Sequence, residues 1–226
     1  MNSKVSDIKI TSQEFRYGVR LKYVLFPIDI RDIREVLAKN GFELSSIRGL
    51  IPTRPFTVDF SGDVGRKGEA TVYMDTSHGT LAVYGKSNKD VIEAFEQVSK
   101  IIRNELGFDL HSNVWYYEIS THYAVKTGSS PILNISRIVG DNPHFAKINS
   151  ILGEEVASFS LRLSPKDRLP NDENWFDISI EQDLLLAEVY HVGILFRNSS
   201  QESTKNFVLT LDDKIINLVN LIEGKI

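Results

Sequence analysis

In the stretch "WYYEISTHYAV", Trp115 to Val125, the residues Glu118, Ser120 and His122 occupy alternate positions. Alternate side chains of an extended chain leave the same face, so a carboxylate, a hydroxyl and an imidazole would stand in a row. These groups are the raw material of general-base or nucleophilic chemistry, and "WFDIS" can add Asp177 from a neighbouring strand. A hydrolase-type enzyme using His122 with Glu118 or Asp177 is therefore one expectation. No Gly-x-Ser-x-Gly elbow accompanies these residues. A single imidazole beside Glu and Ser on a sheet is more simply a surface hydrogen-bonding group.

Other chemistry is excluded by residue type. The chain has no cysteine, so it can form no disulfide, thiolate metal site or cysteine nucleophile. His78, His111, His122, His144 and His191 form no i, i+4 pair and no HExxH motif. No metal and no cofactor is expected. "SGDVGRKGE" is rich in glycine and carries Arg66 and Lys67, but it lacks the Lys-Ser/Thr ending of a phosphate loop and leads into a strand. A mobile hairpin loop is expected there, with "SPKDRLPNDEN", Ser164 to Asn174, as its polar counterpart.

The elements that must position these residues follow from periodicity. In "FRYGVRLKYVLFP", Phe15, Tyr17, Val19, Leu21, Tyr23 and Leu25 alternate with Arg16, Gly18, Arg20 and Lys22. Trp115, Tyr117, Ile119, Tyr123 and Val125 repeat that phase 100 residues later, with Thr121 opposite Leu21. A helix follows each strand: "DIRDIREVLAKNG", closed by Gly41, and "SPILNISRIVGDNPHFAKINSILG", started by Pro131 and broken at Asn142-Pro143. "FTVDF" answers to "FSLRL", with Phe56, Val58, Phe60 and Phe159, Leu161, Leu163 inward. "ATVYM" likewise answers to "FDISI". The closing helices carry the stripes Val91, Phe95, Val98, Ile102, Leu106 and Phe207, Leu211, Ile215, Leu218, Ile222, with Gly107 and Gly224 as stops. Ser87 or Asn88 caps the first of them.

Each half thus reads strand–helix–strand–strand–strand–helix. The expected fold is α+β: two repeats, residues 1–110 and 111–226, each with an antiparallel sheet covered by helices on one face. The opening of the second helix in the first half carries a more specific signal. "GTLAVYGKS", Gly79 to Ser87, entering a long helix, together with "IRGLI", Ile47 to Ile51, resembles the TATA-box-binding protein family. In that family a duplicated unit of this element order makes one curved sheet with helices on one side and DNA on the other. Thr80 and Tyr84 stand where the family's run has Lys and Thr, and Ile47-Arg48 where it has Phe-Pro. The resemblance implies the scaffold; the family's base-wedging Phe and groove-reading Asn are not present at these positions.

On such a scaffold the polar phase of the first half gathers Arg16, Arg20, Lys22, Tyr73 and Tyr84 on the free face. Guanidinium and ammonium groups neutralise phosphates, and tyrosine rings offer stacking planes. Charge is also unevenly divided: residues 1–110 hold 16 Lys+Arg against 15 Asp+Glu, residues 111–226 hold 10 against 15. The leading expectation is a non-enzymatic, cytoplasmic binding protein that contacts nucleic acid or a protein partner through those five residues. A protein-interaction regulator using the acidic second half is the alternative, with Glu154, Glu155, Asp167, Asp172, Glu173, Asp177, Glu181 and Asp183 near its strand ends. No membrane-spanning run and no secretory pattern in "MNSKVSDIKI" is found, so no membrane partner is expected. Free sheet edges leave room for a homo-oligomer.

Overall fold

The computed structural model describes residues 8–23, 25–46, 52–54, 57–58, 60–140 and 143–226. In chain order its elements are β1 (Lys9–Leu21), α1 (Ile30–Lys39), β2 (Glu43–Leu44), β3 (Pro52–Arg54), β4 (Thr57–Val58), β5 (Ser61–Lys67), β6 (Ala70–Asp75), β7 (Thr80–Gly85) and α2 (Asn88–Leu106). A 3-10 turn, His111–Asn113, leads into β8 (Val114–Lys126), α3 (Pro131–Val139), α4 (Pro143–Leu152), β9 (Ser160–Leu163), β10 (Trp175–Gln182), β11 (Val189–Asn198), α5 (Gln201–Leu209) and α6 (Leu211–Glu223). Nine strands form one antiparallel sheet in the order β2-β5-β6-β7-β1-β8-β11-β10-β9, while β3 and β4 pair separately. Among the described residues no helix is long and apolar enough to cross a membrane.

The α+β class and the antiparallel sheet stand as expected. The half-sheets join edge to edge, because β1 pairs with β7 on one side and β8 on the other. The apolar phase of β1 (Phe15, Tyr17, Val19, Leu21) is fully covered by helices, as are Val72, Met74, Leu81 and Val83. Tyr17 meets the Phe95 ring edge-on at 4.9 Å and stacks with Tyr117 at 6.3 Å. One hydrophobic cluster takes in Val114, Tyr117, Ile119 and Val208 along with first-half residues. Ile8 and Ile10 pack instead against the second cluster, around Tyr123, Ile180 and Ile215. This crossing follows from the antiparallel β1–β8 ladder, which lays the start of β1 over the end of β8. The packing boundary is therefore not a point between residues 110 and 111.

Caps define the helices. The Asp29 carboxylate accepts the Arg31 amide at 2.8 Å, and the Ser87 hydroxyl accepts the Asp90 amide at 3.3 Å. Gly107 and Gly224 take the left-handed conformation that ends α2 and α6 (φ +66° and +70°).

Several expectations fail, each for a local reason. Strand β1 begins at Lys9 and stops at Leu21, so Tyr23 and Leu25 are exposed, and Lys22 lies in the bend beyond the strand with its amide donating to Asn113 O. A bulge between Ser12 and Glu14 breaks the alternation that would have announced the start of β1. Thr121, the odd residue of the expected match, faces inward, and its hydroxyl donates to the Glu14 carbonyl at that bulge, 2.7 Å away. A second register shift, between Arg20 and Leu21, puts Val114 inward and leaves Trp115 exposed. "FTVDF" is not in the main sheet: Thr57–Val58 belongs to the β3–β4 pair, and Phe56 and Asp59 lie outside the described residues, as does "IRGLI". The main-sheet strand is "SGDVGRK", expected as a loop. It buries Val64, and its glycines and the bulge between Asp63 and Gly65 hide the period of two. Phe159 precedes β9 and is exposed.

In the second half the closing helix breaks at Thr210, which ends α5 and opens α6. The buried residues are Thr204, Val208, Leu211, Ile215, Val219 and Ile222: Leu211, Ile215 and Ile222 stand as expected, and Val208 and Val219 replace their neighbours Phe207 and Leu218. Phe207 is half-buried and stacked on Phe196, with ring centroids 3.9 Å apart.

A polar lock ties α6 to the segment before α3. The Glu223 carboxylate, 2% exposed, accepts the Ser129 hydroxyl and pairs with Lys225, while the Arg137 guanidinium donates to the Ile222 carbonyl at 3.0 Å. Burial alone would raise the Glu223 pKa. Hydrogen bonds from Lys225, Ser129 and Thr127 outweigh it and hold the carboxyl below its ordinary 4.5. A carboxylate with a depressed folded-state pKa stabilises the protein above its unfolded value, and that stability is lost as pH falls through the folded value. The expected outcome is a thermal midpoint that drops as pH is lowered below 4.5, and a Glu223→Gln variant, less stable at pH 7, whose midpoint changes less over the same range.

Candidate functional site: the sheet face opposite the helices

The phase of β1, β7 and β8 that points away from α2 and its neighbours carries Arg16, Gly18, Arg20, Thr80, Ala82, Tyr84, Tyr116 and Glu118. The pairing register sets which of them meet. Ala82, Gly18 and Glu118 lie side by side across three strands, with Tyr84–Arg16–Ser120 on one flank and Thr80–Arg20–Tyr116 on the other. Gly18 and Ala82 are small because the strands approach closely there: a Cβ on Gly18 would stand 2.6 Å from that of Ala82. Small residues between two arginines leave a pit of about 30 Å³, roughly one water molecule in size, lined by Arg16, Arg20, Thr80, Tyr116 and Glu118 among others.

Four of the five sequence-expected residues belong to this face. The Arg16 guanidinium lies 4.4 Å from the centre of the Tyr73 ring, and the Tyr73 hydroxyl is 2.7 Å from Ser61 Oγ. Tyr84 donates its hydroxyl to Asp63 at 2.9 Å. Burial pushes the Tyr84 pKa up, helped by that carboxylate, so the phenol remains a neutral donor. Arg20 Nε is buried and meets no acceptor among the described residues. Neither Arg16 nor Arg20 forms an ion pair among the described residues. Lys22 is exposed beyond the strand end and is not part of the row.

Arg197 is the residue that sequence periodicity missed. Its Nε donates to Glu118 at 2.6 Å and its Nη1 to the Pro170 carbonyl at 2.7 Å. The guanidinium sits 4.8 Å from the Tyr116 ring centre and 5.7 Å from that of Trp175. Only the ladder, which sets Arg197 between Glu118 and Trp175, brings the four together. The face therefore carries two arginine–aromatic groupings, Arg16–Tyr73 and Arg197–Tyr116 over the buried Trp175, on either side of Arg20.

The expected catalytic grouping does not form. Glu118 is engaged by Arg197, and Asp177 by Arg162, whose Nε donates to it at 2.8 Å. The exposed His122 contacts His191 instead, with Nδ1 3.3 Å from Nε2. The hydrogen bond from Arg162 holds the Asp177 pKa below its ordinary value, as suits an ion pair. Among the described residues no three His, Asp or Glu side chains gather as a metal site. No family model matches this chain, and neither does any curated protein sequence.

Proposed function

We propose that this protein is a non-enzymatic binding protein built on a duplicated, TATA-box-binding-like scaffold, and that its helix-free sheet face holds a nucleic-acid strand. The observation that carries the binding reading is Arg20. Burying a guanidinium donor without an acceptor is costly, and a phosphate oxygen entering the adjoining pit would supply one. Arg16 and Tyr116 line the same pit, and the Glu118 carboxylate that also lines it is paired with Arg197, which leaves Arg16 and Arg20 to meet the phosphate charge.

Support for duplication comes from corresponding parts. Ser87 and Ser200 cap the helices after β7 and β11 in the same way, each accepting the amide three residues on. Counted from those caps, Val91, Phe95, Val98 and Ile102 correspond to Thr204, Val208, Leu211 and Ile215, buried in both halves. Two residues before each cap, Gly85 pairs with Phe15 and Asn198 with Tyr117. That pairing sets β1 on β8 two residues away from the 100-residue offset read from the sequence, while keeping the same faces. The strands flanking the central pair run β7, β6, β5 on one side and β11, β10, β9 on the other.

Fluorescence anisotropy with single-stranded DNA, single-stranded RNA and duplex DNA, repeated over a salt series, tests the binding reading. Binding that weakens with salt is expected, with a log–log slope of roughly −1.5 to −2 for two or three phosphate contacts on a single strand. Arg20→Ala should weaken it about 10-fold and reduce the slope by about one contact. No binding at low salt, or a response flat in salt, would exclude the proposal.

A further inference from the structure

The hairpin between β10 and β11 ends in three consecutive leucines turned to solvent. Leu184, Leu185 and Leu186 are 86%, 92% and 57% exposed. The tip is rigidly built: the Asp183 carboxylate accepts the amides of Leu185 and Leu186 at 2.9 and 3.0 Å, and Asp183 N and Val189 N close the turn through Val189 O and Leu186 O. This turn holds apolar side chains outward.

On the helix side of the same hairpin lies an apolar groove of about 430 Å³, between α6 and β10–β11. Its walls include Ile178, Ile194, Phe207, Leu218 and Leu221, and Lys214 stands at its rim beside the Phe207 ring. Val208 and Val219 are buried on α5 and α6, and their neighbours Phe207 and Leu218 are only partly covered.

We propose that the leucine tip of one copy docks in the groove of a second copy, giving a dimer in which two hairpins exchange tips. The chemistry matches in both parts. Three leucines fit an apolar trough, and the exposed Glu188 and the bracing Asp183 flank the tip where the groove presents Lys214. From Ile178 in the groove wall to Leu185 at the tip is roughly 20 Å of strand, so a two-fold axis beside the hairpin lets each tip reach the other groove. Sheet-edge pairing has less to offer, since the outer strands β2 and β9 span only two and four residues.

Sedimentation velocity on the full chain between about 1 and 100 µM tests the proposal. A concentration-dependent dimer is expected. Leu185→Asp at the tip should weaken it roughly 100-fold, because burying one leucine is worth about a factor of ten and a symmetric pair loses two. Leu221→Asp should do the same from the groove side; both residues are largely exposed, and unchanged circular dichroism and thermal midpoint would show that the fold persists. Mixing the two variants should restore partial association, since one intact tip then meets one intact groove. A wild-type chain that stays monomeric at 100 µM, or a dimer that survives both substitutions, overturns the proposal. So does a monomer that co-sediments with phosphatidylcholine vesicles and loses that binding in Leu185→Asp, which would assign the tip to a lipid surface.

Discussion

Replacing Gly18 by alanine is expected to lower the thermal midpoint by roughly 6–12 °C, about 3 kcal/mol for a chain of this size. The added Cβ would sit 2.6 Å from Ala82 Cβ, 2.7 Å from the Leu81 carbonyl and 2.9 Å from Ala82 Cα. Two of those three atoms are backbone, and β1 is held by ladders on both sides, so neither strand can retreat without loosening pairs along its length. Overpacking ordinarily costs about 1–3 kcal/mol, and a site with rigid neighbours belongs at the upper end. The paired variant Gly18→Ala/Ala82→Gly should regain part of the loss, because it removes the Cβ–Cβ clash and leaves those with Leu81 O and the residue-82 Cα. A double-mutant cycle on thermal or urea unfolding measures the coupling. Full tolerance of Gly18→Ala would show that the strands stand farther apart than described.

Phe95→Ala is expected to cost about 3–5 kcal/mol, read as a lower urea midpoint at unchanged slope. Phe95 is fully buried on α2 and packs between Tyr17 of β1, at 4.9 Å, and His111 after the helix, at 6.3 Å. Behind it Tyr17 and His111 both meet Tyr117 of β8, and His111 Nδ1 lies 2.9 Å from the Tyr117 hydroxyl. Removing the ring leaves a void under the strand pair where the two half-sheets join. The next residue, Glu96, accepts from Gln201 and pairs with Lys205, both at 2.7 Å, so α2 and α5 are clasped directly above. That arrangement resists collapse into the void, which favours the upper part of the range. Phe95→Leu, which keeps most of the volume, should cost under half as much.

Burial on the helix side was legible where a single periodicity ran undisturbed. Tyr17, Val19, Val72, Met74, Phe95 and Ile102 all sit in the core as their spacing implies. Legibility failed where a bulge, a glycine or a helix break reset the phase. The bulge after Ser12 concealed the start of β1, the glycines of "SGDVGRK" concealed a strand, and in the closing helices Val208 and Val219 are buried where Phe207 and Leu218 were expected, while Leu211, Ile215 and Ile222 stand as expected. On the open face, Arg16 and Tyr73 could be named because each alternates with core residues on its own strand. Arg197 could not be grouped with Glu118 and Trp175, because pairing register between distant strands leaves no mark in composition or spacing. The row of Glu118 and His122 shows the converse: residues four apart on one strand stand roughly 13 Å from each other, so a shared phase created no contact, and Arg197 on the neighbouring strand engages Glu118 instead.

The 19 residues of α2 run unbroken, whereas α5 and α6 divide 9 and 13 residues at Thr210. Both arms begin at a serine and end at a glycine, so the second is about a turn longer over a comparable span of strands. Counted from each serine, the buried positions coincide as far as Ile102 and Ile215, so the additional turn falls at the far end of the second arm, where Leu221 stands exposed on α6.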